Sequence, residues 1–362
     1  MKNGLLICTG TGNTKNIGDY IQSVAQEQFF DHIDCYVERE HMDSFISDEK
    51  VKVVMNAWFM WNPQNFPPSQ WIDPLCISMH IVPKIADVML SDKNIRYLKK
   101  YEPIGARDRN TQKILESKGI KSYFSGCLTL TLGLKFKSPI KDNKIYFVDP
   151  YYEFGNTKNR FLKYINAVLL VLRYRRKATV ISKSFVLETV SRLSFFSHKI
   201  DILAHAASFY ATYSKAFSDD VLLNAKYITH VIVQSEFKND DEKMEYAREL
   251  IRKYAKAKLV VTSRIHCALP CLGVETPVVF INSEGLSNGE KRGGSNGRFE
   301  GLIDLLNTLT WTKKGVVSAK TNDKINTNNV PSNPQKYVPL RNNLIKMVQS
   351  FVKKDDNITI NT

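Results

Sequence analysis

Two doubly wound α/β units in one chain are what the sequence predicts, and three observations carry that expectation. The 362 residues, 41.4 kDa, exceed what one hydrophobic core usually supports and point to units of about 150 residues each. Hydrophobic residues at 43% and charged residues at 24% match a globular chain and exclude a disordered or fibrous one. Apolar runs of strand length alternate, twice over, with apolar residues at helical spacing, and strands alternating with helices build parallel sheets.

Lys2 to Cys8 is a short apolar run, followed by Thr-Gly-Thr-Gly-Asn-Thr and then helical periodicity from Ile17 to Phe29, which reads as strand, loop, helix. Strands are predicted at 33–37, 51–56, 75–81, 104–107 and 123–132. A helix over 108–118 is stopped by Gly119. The second series starts with a strand at 145–148, runs through a helical stretch from Thr157 to about Ser218, and resumes with a strand at 227–233. Helix 240–255, strand 258–262, helix 264–272, strand 277–281 and helix 298–309 complete it. These elements divide the chain into units at 1–138 and 139–312. The polar stretch 313–335 reads as a linker, and residues 336–362 as a terminal helix and tail able to cross back onto the first unit.

Fifty-one Lys and Arg against 36 acids give +15, which favours phosphate-rich ligands, nucleic acid or anionic surfaces over cationic partners. No nucleic-acid motif accompanies the charge, so nucleic acid is not expected. Six cysteines are dispersed in apolar runs without a CxxC pair, which fits reduced thiols in a cytoplasm and gives no metal site. The first residues lack the apolar core and cleavage site of a signal peptide. The longest apolar run, around Ala167 to Leu172, falls far below the roughly 20 residues of a membrane span.

The sharpest local feature is residues 258–273, Lys-Leu-Val-Val-Thr-Ser-Arg-Ile-His-Cys-Ala-Leu-Pro-Cys-Leu-Gly. A buried strand ends at Thr262, Ser263 suits an N-cap, and Arg264 and His266 fall in the first turn of the next helix. Helix amides and dipole favour an anion there, and Arg264 adds a forked donor. His266 is the nearby group able to exchange a proton near neutral pH. A structural histidine and a surface arginine would leave the same pattern. Arg107, followed by the capping residue Asp108, occupies the equivalent strand end in the first unit, so a cleft between units would let both arginines face one anion.

Three further stretches have a functional reading beside a structural one. The loop Thr9–Thr14 resembles the phosphate loop of flavodoxins, which makes an FMN protein an alternative, though it lacks Walker A spacing. Residues 56–69 combine rings with amides, as a sugar's apolar faces and hydroxyl edges require, or form a packed loop. Residues 158–199 hold ten basic residues and the single acid Glu188, interleaved with Phe161, Ile165, Leu169, Leu170, Phe185, Leu193, Phe195 and Phe196. That pattern is either an amphipathic signature for an anionic membrane surface or a solvated basic face over core packing.

Taken together, Asn16–Asp19, Asn56–Trp61, Ser78–Ile81, Gly105–Thr111, Tyr227–His230, Thr262–Leu269 and Arg298–Leu302 resemble the polysaccharide pyruvyltransferase family over about residues 4 to 309. The resemblance implies two Rossmann-like units facing a cleft, similar to the GT-B glycosyltransferases. It also implies phosphoenolpyruvate as donor, a sugar, often lipid-linked, as acceptor, and a pyruvate ketal as product. Neither a cofactor nor a metal is implied. Carried over by motif, Arg107, Arg264 and His266 are the catalytic residues, with Ser263 and Ile265 beside them in the donor site. Asn13, Asp19, Asn56, Trp58, His80, Asp108, His230 and Arg298 are the candidates for acceptor binding or support, and Asp19 and Asp108 the candidate bases. The expected setting is a capsule or exopolysaccharide precursor in the cytoplasm, at the inner face of the membrane. A nucleotide-sugar glycosyltransferase and a non-catalytic membrane scaffold stay open beside this reading.

Overall fold

The computed structural model describes residues 1–8, 16–59, 61–157, 159, 161–185, 198–232, 236–283, 286–287, 290–291, 297–312, 315–317 and 323–353. The chain is α/β, with two mainly parallel sheets. In the first half, β1 (Lys2–Ile7), α1 (Gly18–Glu27), β2 (Cys35–Glu38), β3 (Val51–Val54), β4 (Trp58–Phe59), β5 (Ile72–Leu75) and β6 (His80–Ile81) precede α2 (Ala86–Met89), α3 (Asp92–Lys99) and β7 (Ile104–Ala106). Then come α4 (Arg109–Ser117), β8 (Ser122–Phe124) and α5 (Gly133–Phe136). The sheet order is β2-β1-β3-β5. Gly105 and Arg107 amides donate to Cys76 and Met79 carbonyls at 2.9 and 2.8 Å, extending it toward the β7–β8 pair.

The second half contains β9 (Ile145–Val148), α6 (Leu162–Ser182), α7 (His198–Tyr213), α8 (Asp219–Asn224), β10 (Lys226–Ile228), α9 (Asp240–Lys256), β11 (Leu259–Thr262) and α10 (Ile265–Gly273). It continues through β12 (Val278–Asn282), β13 (Leu286–Ser287), β14 (Glu290–Lys291), β15 (Asn307–Thr312) and β16 (Gly315–Val317) to α11 (Tyr337–Val352). Its order is β10-β9-β11-β12-β15-β16, parallel except for β16.

Strand alternation sorts the side chains into layers. On β9 and β11, Ile145, Phe147, Leu259 and Val261 enter an outer core with α6, α7 and α8, while Tyr146, Val148 and Val260 face the opposite way. That inner face shares one continuous core with β1, α1, α9, α10 and α11. A third cluster covers the far side of the first sheet, with Leu98 and Leu115 from α3 and α4. Terminal helix α11 lies against the first half, where Tyr123 Oη meets Met347 Sδ at 2.9 Å and Lys52 Nζ reaches the Val352 carbonyl at 3.2 Å.

Several predicted elements differ. The strand expected at 123–132 ends at Phe124; Gly126 turns at φ +72° and Leu128–Thr131 form a 3₁₀ turn wedged into the core. The helix expected at 298–309 is a turn through Gly301 at φ +84°, a short 3₁₀ piece and strand β15. Its helical spacing is coincidental, since Phe299, Leu302, Leu305 and Leu306 fill the inner core and Leu309 the outer one. The expected strand at 75–81 is broken at Ser78, φ +54°, and the linker stretch contributes β16 as a hairpin on β15. Helix α3 is not predicted because its polar face masks a short apolar stripe, and α2 is a single turn of four residues, too short to show a helical period. Among the described residues, no helix is long and apolar enough to cross a membrane.

Candidate active site

The chain lays β10 on one side of β9 and β11 on the other, so the strand order of the second sheet reverses between β9 and β11, and in open α/β sheets the crevice at such a switch, beyond the carboxyl ends of the strands, is the place for a ligand. Thr262 ties these ends together: its hydroxyl donates to the Val148 carbonyl and accepts the Arg264 amide, at 2.8 and 2.9 Å. Asp149, just past β9 at φ +41°, takes Arg264 Nε at 2.8 Å and the His230 amide at 3.0 Å on one oxygen. Its other oxygen is buried without a hydrogen-bond partner. Arg264 is thus aimed by a carboxylate that the sequence analysis missed. The signal was present as an acid closing an apolar run, but its meaning depends on strand order.

Helix α10 starts one residue later than expected. Arg264 stands at the N-cap, Ile265 and His266 in the first turn, and Ser263, expected to cap, instead accepts the Tyr151 amide at 2.8 Å through Oγ. Gly18 packs against this start: a Cβ there would lie 3.0 Å from His266 Cβ and 3.2 Å from Nδ1. The Asn16–Asp19 turn therefore abuts the histidine across the two halves. His266 is buried and its Nε2 has no hydrogen-bond partner. Burial, then the positive fields of Arg107 and Arg298 and the neighbouring His230 and His80, push its pKa well below the ordinary histidine range.

Arg107, at the end of β7, is 1% exposed, and none of its three side-chain nitrogens has a hydrogen-bond partner. Asp108 Oδ2 lies 3.4 Å from Nη2, but the same oxygen meets His80 Nδ1 at 2.6 Å. Oδ1 accepts the Thr111 amide and hydroxyl at 2.9 and 3.0 Å and so caps α4. Burial works to raise the Asp108 carboxyl; His80, Arg107 and the Thr111 amide outweigh it and hold the group below its usual range. The carboxylate is fully engaged, while a buried guanidinium beside it lacks the donors' partners that such a charge requires.

A cleft of about 330 Å³ opens over this cluster. One wall is cationic and polar, with Asn16, His230, Ser263, Arg264, Ile265, His266 and Arg298. The other is aromatic: Tyr152, Phe154, Phe185 and Tyr227, with His205 from α7. Tyr152 Oη and His205 Nδ1 share a 3.0 Å hydrogen bond, and burial pushes His205 down to about 4, so it stays a neutral polar group at neutral pH. The sequence reading passed over this wall because its residues lie far apart in the chain. Arg298 is carried by a turn docked on α4, where the Arg109 amide donates to the Glu300 carbonyl at 3.0 Å. Gly301 there leaves room for the Arg109 side chain and Phe124.

The remaining candidates are placed elsewhere. Arg107 sits behind His266 and not on the cleft wall, so Arg107 and Arg264 do not jointly line it as expected. Asp19 is buried with its Oδ1 3.9 Å from Arg39 Nη1, away from the lining. Asn56 is buried, donating to the Gln22 carbonyl at 3.1 Å. Trp58 pairs with His80 in backbone register, its side chain outside the described part; Asn13 lies outside the described residues. His230 does line the cleft, but its Nε2 is taken by Tyr254 Oη at 2.7 Å. Among the described residues, no group of three or more His, Cys, Asp or Glu could hold a metal ion.

Comparison with curated proteins and with solved structures finds no match in either. The family model described as polysaccharide pyruvyl transferase matches residues 94–285, more than half of the chain, and spans Arg107, Asp149, His205, His230, Arg264 and His266. Asn16 and Arg298 complete the cleft from outside that range. With the aromatic wall, most of the cationic wall and the buried arginine inside a match that covers more than half of its length, the chain belongs to the polysaccharide pyruvyl transferase family.

Proposed function

We propose that the protein transfers the three-carbon unit of phosphoenolpyruvate onto two hydroxyls of a sugar in a bacterial surface-polysaccharide precursor, forming a pyruvate ketal and releasing phosphate. The observation that carries this reading is the buried, unsatisfied Arg107 beside a buried His266, in a cluster whose positive charge exceeds its negative. In this reading a ligand bearing both phosphate and carboxylate is held from the cleft side by Arg264, Arg298 and the first amides of α10, and its charged end reaches past His266 to supply the acceptors that the buried Arg107 lacks. We read the two sheets as halves of a GT-B-like arrangement, with the acceptor sugar stacked on the aromatic wall and the reaction in the cytoplasm.

In this scheme the donor's negative charge offsets the fields of Arg107 and Arg298, so the His266 pKa rises on binding and the imidazole takes up a proton. His266 then gives that proton to the methylene carbon, and C2 becomes cation-like. One sugar hydroxyl adds to C2 and returns its proton to His266. The second hydroxyl displaces phosphate, which leaves with the other proton, and the ketal closes. Asp108 is spent on His80 and the α4 cap, so the neutral His266 is the base nearest to hand.

Thermal unfolding tests the donor. Phosphoenolpyruvate at 100 times its Kd is expected to add about 2.7 kcal/mol of stability. Sugar nucleotides and FMN are expected to add none. Stabilisation by a sugar nucleotide with no effect of phosphoenolpyruvate would select a glycosyltransferase instead.

A further inference from the structure

Helix α6 has two apolar faces. Ala167, Ala178 and Ile181 are buried, and Leu170, Val171 and Tyr174 pack beside them on the outer core. On the opposite side Phe161, just before the helix, and Leu162, Ile165, Leu169 and Leu172 are 87, 48, 59, 57 and 69% exposed. At 100° per residue they fall on one stripe, about 16 Å long. Exposed apolar stripes of this kind mark docking surfaces. Arg173, Arg175 and Arg176 are exposed around the end of the stripe with no acidic partner among the described residues, whereas Lys177 is held by Asp219.

Charge selects the occupant. Residues 158–199 carry ten cations and one acid, so a second copy packed on this face would bring two strongly positive segments together. We propose that this face of α6 docks the protein on an anionic lipid bilayer, with Leu162, Ile165, Leu169 and Leu172 at the acyl boundary and Arg173, Arg175 and Arg176 among the head groups. Docking delivers the cleft to the surface. Phe154 lines the cleft, and its ring centroid lies 6.1 Å from that of Tyr164 on α6, so a lipid-linked acceptor held in the bilayer reaches the aromatic wall over a short path. That last step rests on the proposed function; the docking itself does not.

The test is co-sedimentation with phosphatidylcholine vesicles with and without phosphatidylglycerol. Wild type is expected to bind the anionic vesicles, to bind neutral ones weakly, and to be released by salt. Arg173→Gln/Arg175→Gln/Arg176→Gln is expected to lose about five-fold in partitioning per arginine, on the order of a hundred-fold in all. Ile165→Gln/Leu169→Gln/Leu172→Gln is expected to lose binding at every salt concentration. Both variants alter exposed side chains, and retained stabilisation by phosphoenolpyruvate reports an intact fold and separates failure of docking from failure of the donor assignment. Equal vesicle binding by wild type and both variants, or none by wild type, would overturn the proposal. So would an apolar variant that turns a dimer into a monomer while binding vesicles normally.

Discussion

His266→Asn is expected to slow ketal formation by about 10²–10⁴-fold while leaving the affinity for phosphoenolpyruvate within a few-fold of wild type. Asn keeps a polar group of similar reach in the first turn of α10 but cannot deliver a proton to carbon. The loss therefore falls on the transition state rather than on donor binding. Turnover at saturating donor, compared with the thermal shift that the donor produces, checks both halves. A variant with near-native turnover would remove the histidine from the chemistry.

Arg107 is expected to act on donor binding more than on the fold. Arg107→Met is expected to leave the stability of the unliganded protein within about 1–3 kcal/mol of wild type, because the guanidinium makes no hydrogen bond and Asp108, 3.4 Å from it, keeps its bonds to His80 and Thr111. The same substitution is expected to abolish stabilisation by phosphoenolpyruvate. Arg107→Lys, which keeps the charge but not the fork, is expected to weaken binding by about 1.5–3 kcal/mol for each charge-assisted bond lost. Denaturant midpoints with and without donor separate the effects. If Arg107→Met were strongly destabilised without ligand and still bound the donor, the guanidinium would be a structural element.

The strand-to-helix junction at 104–119 was legible because local rules decide it: an apolar strand, a capping residue, and Gly119 closing the helix at φ +70°; at 258–273 the strand and the helix were legible, but the cap expected at Ser263 falls on Arg264. Asp108 as cap and the Arg264–His266 spacing on the start of α10 belong to that level. What distant parts of the chain decide was not legible. Asp149 acquires its role because β10 and β11 lie on either side of β9, and Arg107 is left unsatisfied because Asp108 is drawn to His80. The turn at 298–302 was hidden by apolar residues that serve two different cores. Of the basic stretch, Leu170 and Phe185 pack inward while Phe161, Ile165 and Leu169 face out, a division that sequence spacing alone left open. Leu193, Phe195 and Phe196 lie outside the described residues.

The central claim is that an anionic donor changes the protonation of His266. In the free protein, burial and the surrounding cations keep the imidazole neutral at pH 7 and above; in the complex the donor's charge raises its pKa, so binding takes up a proton and weakens as pH rises. Calorimetric titration of phosphoenolpyruvate at pH 7.5, where a phosphate monoester with a second pKa near 6 is already dianionic, measures that proton directly in buffers of different ionisation enthalpy. Wild type is predicted to take up a proton that His266→Asn does not. Equal proton uptake by the two proteins, or none by wild type with the donor bound, would contradict the account.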